Sequence, residues 1–374
     1  MDTPTLRVSE PCELLALIPH QLGFRPGESV VAVGLRPPRG RVGLVVRVDL
    51  ADLADAGSGP ALARGVLAHL DKDGAETAVL VVYTHDDPRR GPDPRVAAAV
   101  AHFRDAAAVP FGEVPAWAVT DSGYLSLDCH DDCCPSGGRP LAELEATQVG
   151  AQMVLAGSAV ADRREDVARI RPAGGEARRS VARVRRRWLT RGVEALDAGP
   201  EAVERWRSDA VAGWRQAVHE RVERGRPSAA ALGRLESGLA DPRVRDAVLV
   251  ALVPGTGDLA ERCVRGERPS PADDAALGHA LALLVDPVVG VPSPPEASRV
   301  HEAVLEAVVA HGEHGRQAPA LTLLGLLAWW RGDGARAQLL LERALGDEPR
   351  YRLAHLVADM VAQGLPPGWV VSGR

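Results

Sequence analysis

The runs that read as strands all fall in the first third of the chain, and that asymmetry constrains the fold more than any other feature. They are Ser29 to Leu35 (SVVAVGL), Arg41 to Leu50 (RVGLVVRVDL), Thr77 to Thr84 (TAVLVVYT), Val114 to Thr120 and Tyr124 to Leu127. β-Branched and aromatic residues of this kind pack well on a pleated surface. Pro37-Pro38-Arg39-Gly40 separates the first two runs and fits a hairpin turn. Helical stretches lie between and after these runs: Leu14 to Ile18, ended near Pro19, then Pro60 to Leu70, Val96 to Ala108 and Leu141 to Ala156. Strands alternating with helices predict an α/β domain with a mixed or partly parallel sheet.

Beyond that point the pattern is helical. Glu194 to Arg224 reads as one amphipathic stretch with Trp206 and Trp214 on its core side. Ala229 to Leu239, Pro242 to Leu252, Pro271 to Leu284, Pro295 to Ala310, Ala318 to Trp330, Ala335 to Leu345 and Tyr351 to Gln363 follow. A chain of 374 residues exceeds the usual size of one domain. The expected division is an α/β domain with a cysteine loop over 1–160, a basic helical linker over 161–192 and an all-α domain over 193–374.

Basic residues number 44 against 50 acidic ones, a net charge of −6, which argues against a globally basic nucleic-acid binder. The opening MDTPTLRVSEP has neither a basic n-region nor an apolar h-region, and no apolar stretch reaches the length of a membrane span. A cytoplasmic location without membrane contact is expected. No GxGxxG opens a helix in the α/β half, and no GxxxxGK[ST], GxSxG or HExxH occurs. Common nucleotide sites and hydrolase machinery are therefore not expected.

Open α/β sheets bind ligands outside the carboxyl ends of their strands. Asp49, Thr84 and Asp121 hold such positions, and Arg47 shares a strand face with Asp49 at the two-residue period. His85, beside Asp86 and Asp87, has the chemistry of a general base or of half a metal site. Arg47, Asp49, Thr84, His85 and Asp121 are the candidate catalytic set, although a rim ion pair and a solvated loop explain the same residues.

Cys129, His130, Cys133 and Cys134 form the densest chemical cluster. Thiolates and imidazole suit tetrahedral zinc, making this loop a candidate structural metal site. A reactive thiol is an alternative, and a structural turn with a buried thiol or labile disulfide explains the loop more simply, because adjacent cysteines seldom face one centre. His301, His311 and His314 are close in sequence but lack supporting carboxylates or cysteines.

Between Arg163 and Arg191 there are eleven arginines and three acids, a local charge of +8. Arg178, Arg179, Arg183, Arg186 and Arg187 are the candidate contacts for a polyanion or partner. Lys72 is the one lysine in the chain, so arginine enrichment is global and tempers the inference.

Four stretches together resemble the actinobacterial domain-of-unknown-function family 4192. They are LLALIPHQLGFRPGESVVAVGL from Leu14, VRVDL at Val46 to Leu50, the Cys133-Cys134-Pro135 loop with its following glycines and Pro140, and AWWRGDGARAQLLLERALGDEPRYRLAHLV from Ala328. The last also resembles the second helix of a tetratricopeptide hairpin and its exit. The resemblance implies a cytoplasmic bacterial protein with an α/β front and a helical back, and assigns no activity. In that frame Ser29 is expected to cap a turn and Asp49 to receive backbone donors. An interaction or regulatory module, with a protein partner or a second copy, is the first functional expectation. A small-molecule enzyme at the strand ends is the second, and a nucleic-acid contact through the arginine-rich helix the third.

Overall fold

The computed structural model describes residues 10–38, 40–85, 87–88, 91, 93–129, 135, 137–266 and 270–371. The chain divides into two compact units, Met1–Val167 and Ala168–Arg374.

The first unit runs α1 (Pro11–Leu22), β1 (Ser29–Arg36), β2 (Arg41–Asp49), α2 (Leu50–Ala54), α3 (Gly59–Lys72), β3 (Thr77–Tyr83), α4 (Pro94–Ala107), β4 (Ala116–Val119), β5 (Tyr124–Ser126), α5 (Ala142–Glu145), α6 (Gln148–Leu155) and α7 (Arg164–Val167). Its five strands form one mixed sheet in the order β2-β1-β3-β4-β5. β3 and β4 pair in parallel, with α4 as the crossover that a parallel pair needs. The other pairs are antiparallel. Val30, Ala32, Leu80, Val82 and Ala116 face one way, into a core completed by Leu53, Leu70, Val100 and Phe103. Val31, Val33 and Val81 alternate with them and are buried too. Burial on both faces is why β1 and β3 read as unbroken apolar runs.

Two expected helices are corrected here. Pro19 lies inside α1, although its ring removes a backbone donor and usually breaks a helix. Ile18 and Leu22 are both buried, and packing carries the helix on to Gly23, whose φ of 75° provides a left-handed C-cap. The Leu141 to Ala156 stretch is two helices. Thr147 leaves α5 and caps α6, its Oγ1 accepting from Gly150 N at 3.2 Å.

The second unit holds α8 (Gly175–Ala198), α9 (Pro200–Arg224), α10 (Ala229–Gly238), α11 (Pro242–Leu252), α12 (Leu259–Cys263), α13 (Pro271–Val285), α14 (Pro295–His311), α15 (Ala318–Trp330), α16 (Gly334–Asp347), α17 (Arg352–Ala362) and α18 (Gly368–Val371). The expected continuous stretch from Glu194 to Arg224 is interrupted, because Gly199 at φ 98° and Pro200 at the first helical position separate α8 from α9. Residues 161–192 contribute α7 to the first unit and most of α8 to the second, where Val181, Arg185 and Trp188 are buried.

α10 packs against α8 and α9. Gly233 permits the approach to α8, since a Cβ there would lie 2.7 Å from Val184 Cβ and 2.8 Å from Val181 O. α15 is buried along its whole length. Trp330 Nε1 donates to Val291 O at 2.8 Å, and Trp329 Nε1 to Leu365 O at 2.7 Å, so both buried indoles are satisfied. Among the described residues, no helix is long and apolar enough to cross a membrane.

Candidate functional site

Strand register gathers one set of residues at a single edge of the sheet. Ser29 at the start of β1 pairs with Asp49 at the end of β2 and with Tyr83 at the end of β3. Tyr83 in turn pairs with Val119 at the end of β4. Asp49, Thr84 and the Thr120–Asp121 turn therefore leave the sheet on the same side.

The expected Arg47–Asp49 contact is present, Nη2 to Oδ1 at 2.7 Å, with Arg47 mostly covered and Asp49 half-exposed. His85 Nδ1 meets Asp121 Oδ2 at 3.1 Å, and both side chains are exposed. The His85 amide donates to Glu28 Oε1 at 3.2 Å. Thr84 is buried, and its amide donates to Val119 O, which extends the sheet. The candidate set thus forms two separate pairs, His85 with Asp121 and Arg47 with Asp49, and Thr84 stands in the ladder. Glu28, 3.0 Å from Arg95, has φ 41°, an uncommon backbone for a residue other than glycine.

Ser29 and Tyr83 carry the features that sequence reasoning missed. Ser29 Oγ, Tyr83 Oη and Arg47 Nε are buried without a hydrogen-bond partner among the described residues. The expected turn cap by Ser29 is therefore not made. Asp49 also makes no side-chain cap to the helix it precedes, because its carboxylate is turned to Arg47 instead. Burial pushes the Tyr83 phenol far above its ordinary range. Which residues share a face across three paired strands is invisible until the pairing is known.

Of the candidate metal ligands, His130, Cys133 and Cys134 lie outside the described residues. Cys129 is half-buried. No group of three or more metal-ligating side chains occurs among the described residues. The later histidines are dispersed: His311 Nδ1 lies 2.7 Å from Ala307 O, and His301 packs against Trp214 with ring centroids 5.3 Å apart.

The arginine-rich helix is divided by its own periodicity. Arg185 is buried, with Nη1 donating to Glu236 Oε1 at 2.9 Å and Nη2 to Glu313 Oε2 at 2.7 Å. Arg179, Arg183, Arg186 and Arg187 are exposed on the other side of α8, and Arg178 is exposed one turn before it, on the Arg185 side. None of these five meets a carboxylate among the described residues; Arg183 donates to Ser180 Oγ at 3.0 Å. Elsewhere in the same unit, Arg207, Arg215, Arg262, Arg331 and Arg336 all end on carboxylates. The RGD tripeptide at Arg331 is structural: Arg331 binds Glu302, and Asp333 caps α16 through Arg336 N at 3.0 Å.

The chain is a mixed-sheet unit followed by an all-helical one. The chain belongs to the family described as Domain of unknown function (DUF4192), whose model matches residues 11–368. No curated protein and no solved structure matches it.

Proposed function

We propose that the protein is an interaction or regulatory module that receives an acidic partner on the outward face of α8. The observation that carries this reading is the concentration of five arginines without carboxylate partners between Arg178 and Arg187 of one helix. Arginine presents a planar fork of donors that matches carboxylates and phosphates. In a chain of net charge −6, such a concentration of free positive charge supports a specific docking face over general attraction to polyanions. The cytoplasm is the proposed setting, from the cysteine usage.

The test is fluorescence anisotropy with labelled poly-L-glutamate over a salt series. The expected result is salt-sensitive binding that weakens by about tenfold or more when Arg183, Arg186 and Arg187 are replaced by glutamine. Equal binding by wild type and variant would remove the reading.

The strand-end site is a second reading, favoured by the buried and unpartnered Ser29 Oγ, Tyr83 Oη and Arg47 Nε beside the left-handed Glu28. All three are donors, which suits a small oxyanion. A thermal-shift series with acetate and phosphate would show stabilisation in wild type that is lost in Ser29→Ala/Tyr83→Phe; the same response in both proteins would reject it.

A further inference from the structure

We infer that the acidic partner of α8 is a second copy of the same chain, its α8 lying antiparallel to the first about a twofold axis at Thr190. This inference rests on the reading of α8 as the docking face and names what the face receives. The observation beneath it is one exposed stripe whose charge changes sign along the helix. Arg179, Arg183, Arg186 and Arg187 form the first half, and all four are exposed. At the same helical spacing the stripe continues through Thr190 to Glu194 and Asp197, which are exposed too. Val181, Arg185, Trp188 and Ala195 are buried on the opposite side. Glu176 precedes the arginines in the first turn, where an acid suits the positive end of the helix dipole.

The two halves do not neutralise one another within the helix. Arg179, Arg183 and Arg187 are like charges at four-residue steps, an arrangement that destabilises a helix by itself. Glu194 is seven residues beyond Arg187, about 10 Å along the axis. Arg191 is the nearer cation, but it turns onto the Trp188 ring, 5.3 Å from the centroid. Neither Glu194 nor Asp197 makes an ion pair among the described residues.

An antiparallel copy supplies what each half lacks. Arg183 lies seven residues before Thr190 and Asp197 seven after it; Arg187 lies three before and Glu194 four after. A twofold axis at Thr190 therefore sets Arg183 against the partner's Asp197 and Arg187 against the partner's Glu194, and symmetry repeats both contacts. The same arrangement opposes the two helix dipoles. Thr190 is short, and its Oγ1 donates to Arg186 O at 3.2 Å, so the crossing point is narrow where the axes approach to about 8–10 Å. A nucleic-acid backbone or a uniformly acidic segment would match the arginines and be repelled by Glu194 and Asp197. A second copy carries the complement of both halves at matching distances.

Sedimentation velocity of the full chain over a concentration series would test this. Wild type should pass from one chain to two as concentration rises at low salt, and return to one chain in high salt. Arg183→Glu/Arg187→Glu makes the stripe acidic throughout, and Glu194→Arg/Asp197→Arg makes it basic throughout. Each variant alone should dimerise about tenfold or more weakly than wild type. An equimolar mixture of the two should form a heterodimer, because the twofold then places each acid opposite an arginine. Rescue by mixing also separates lost complementarity from lost folding, which circular dichroism would check in each variant. A dimer unaffected by either variant, or two weakened variants that fail to pair, would overturn the inference. A monomeric wild type would overturn it as well. If that monomer still bound poly-L-glutamate through its arginines, the acidic-partner reading would stand; if it bound duplex DNA instead, nucleic acid would replace it.

Discussion

Arg185 and Glu236 form a buried pair on facing helices, guanidinium to carboxylate at 2.9 Å, with the Glu236 side chain 1% exposed. Burial pushes Glu236 above the usual carboxylate range, and Arg185 opposes that shift. Glu236 Oε1 also accepts the amide of Glu313 at 3.1 Å, so the pair joins α8, α10 and the chain after α14. Replacing Arg185 by leucine leaves the carboxylate uncompensated and should cost about 3–5 kcal/mol of stability. Urea unfolding would measure it, and Arg185→Leu/Glu236→Leu should recover a large part of the loss. The neighbouring Arg186→Gln should change stability by less than about 0.5 kcal/mol, because that side chain is in water. Similar losses at both positions would contradict this division of the helix.

Gly233 makes a second, steric prediction. Its absent side chain is where the backbone of α8 passes, with Val181 O as well as Val184 Cβ inside contact distance of an added methyl. Backbone cannot yield as a flexible side chain does. Gly233→Ala should therefore destabilise the helical unit by roughly 1–3 kcal/mol despite the better helix propensity of alanine. A variant as stable as wild type in thermal unfolding would mean that the two helices separate easily.

Asp347 ties the end of α16 to the start of α15. Its carboxylate accepts the amides of Gly315 and Gln317, each at 2.6 Å, and that of Ala318 at 3.0 Å. These amides include donors that the first turn of α15 leaves without helical partners. Asp347→Ala should cost about 1–2 kcal/mol, and Asp347→Asn less, since the amide oxygen still accepts. Hydrogen exchange should show the protection at Gln317 and Ala318 lost first; unchanged exchange there would discount the cap.

The sequence made some of this legible and concealed the rest for identifiable reasons. The strands are readable because β1 and β3 are buried on both faces and retain no polar alternation. α15 is readable from Ala318 to Trp330 because its ends are marked by Pro319 and by the glycine turn after Arg331. The continuation of α1 through Pro19 is not readable, since tertiary burial of Ile18 and Leu22 outweighs a local breaker. At the strand ends, the Arg47–Asp49 pair follows from the two-residue period, a local rule. His85 meeting Asp121 depends on the parallel pairing of β3 with β4, which no local pattern specifies. The division of the arginine cluster lies between these cases. Helical periodicity separates Arg185 from Arg183 and Arg187, but the carboxylates that receive it come from residues 51 and 128 positions away.

His301 gives the unit a predictable response to pH. It packs against Trp214, its Nδ1 has no hydrogen-bond partner among the described residues, and the Arg215 charge lies nearby. Burial, with a smaller contribution from Arg215, lowers its pKa from 6.5 to about 4. The folded chain therefore favours neutral imidazole, while the unfolded chain takes up a proton below 6.5. That contribution to stability is complete above the unfolded value and is lost as pH falls from 6.5 toward 4. The loss from this residue should approach about 3 kcal/mol at the lower end. Unfolding midpoints measured across the interval for wild type and His301→Gln should diverge at pH 7 and converge toward pH 4, because glutamine does not titrate. Parallel curves for the two proteins would place the acid sensitivity in other groups.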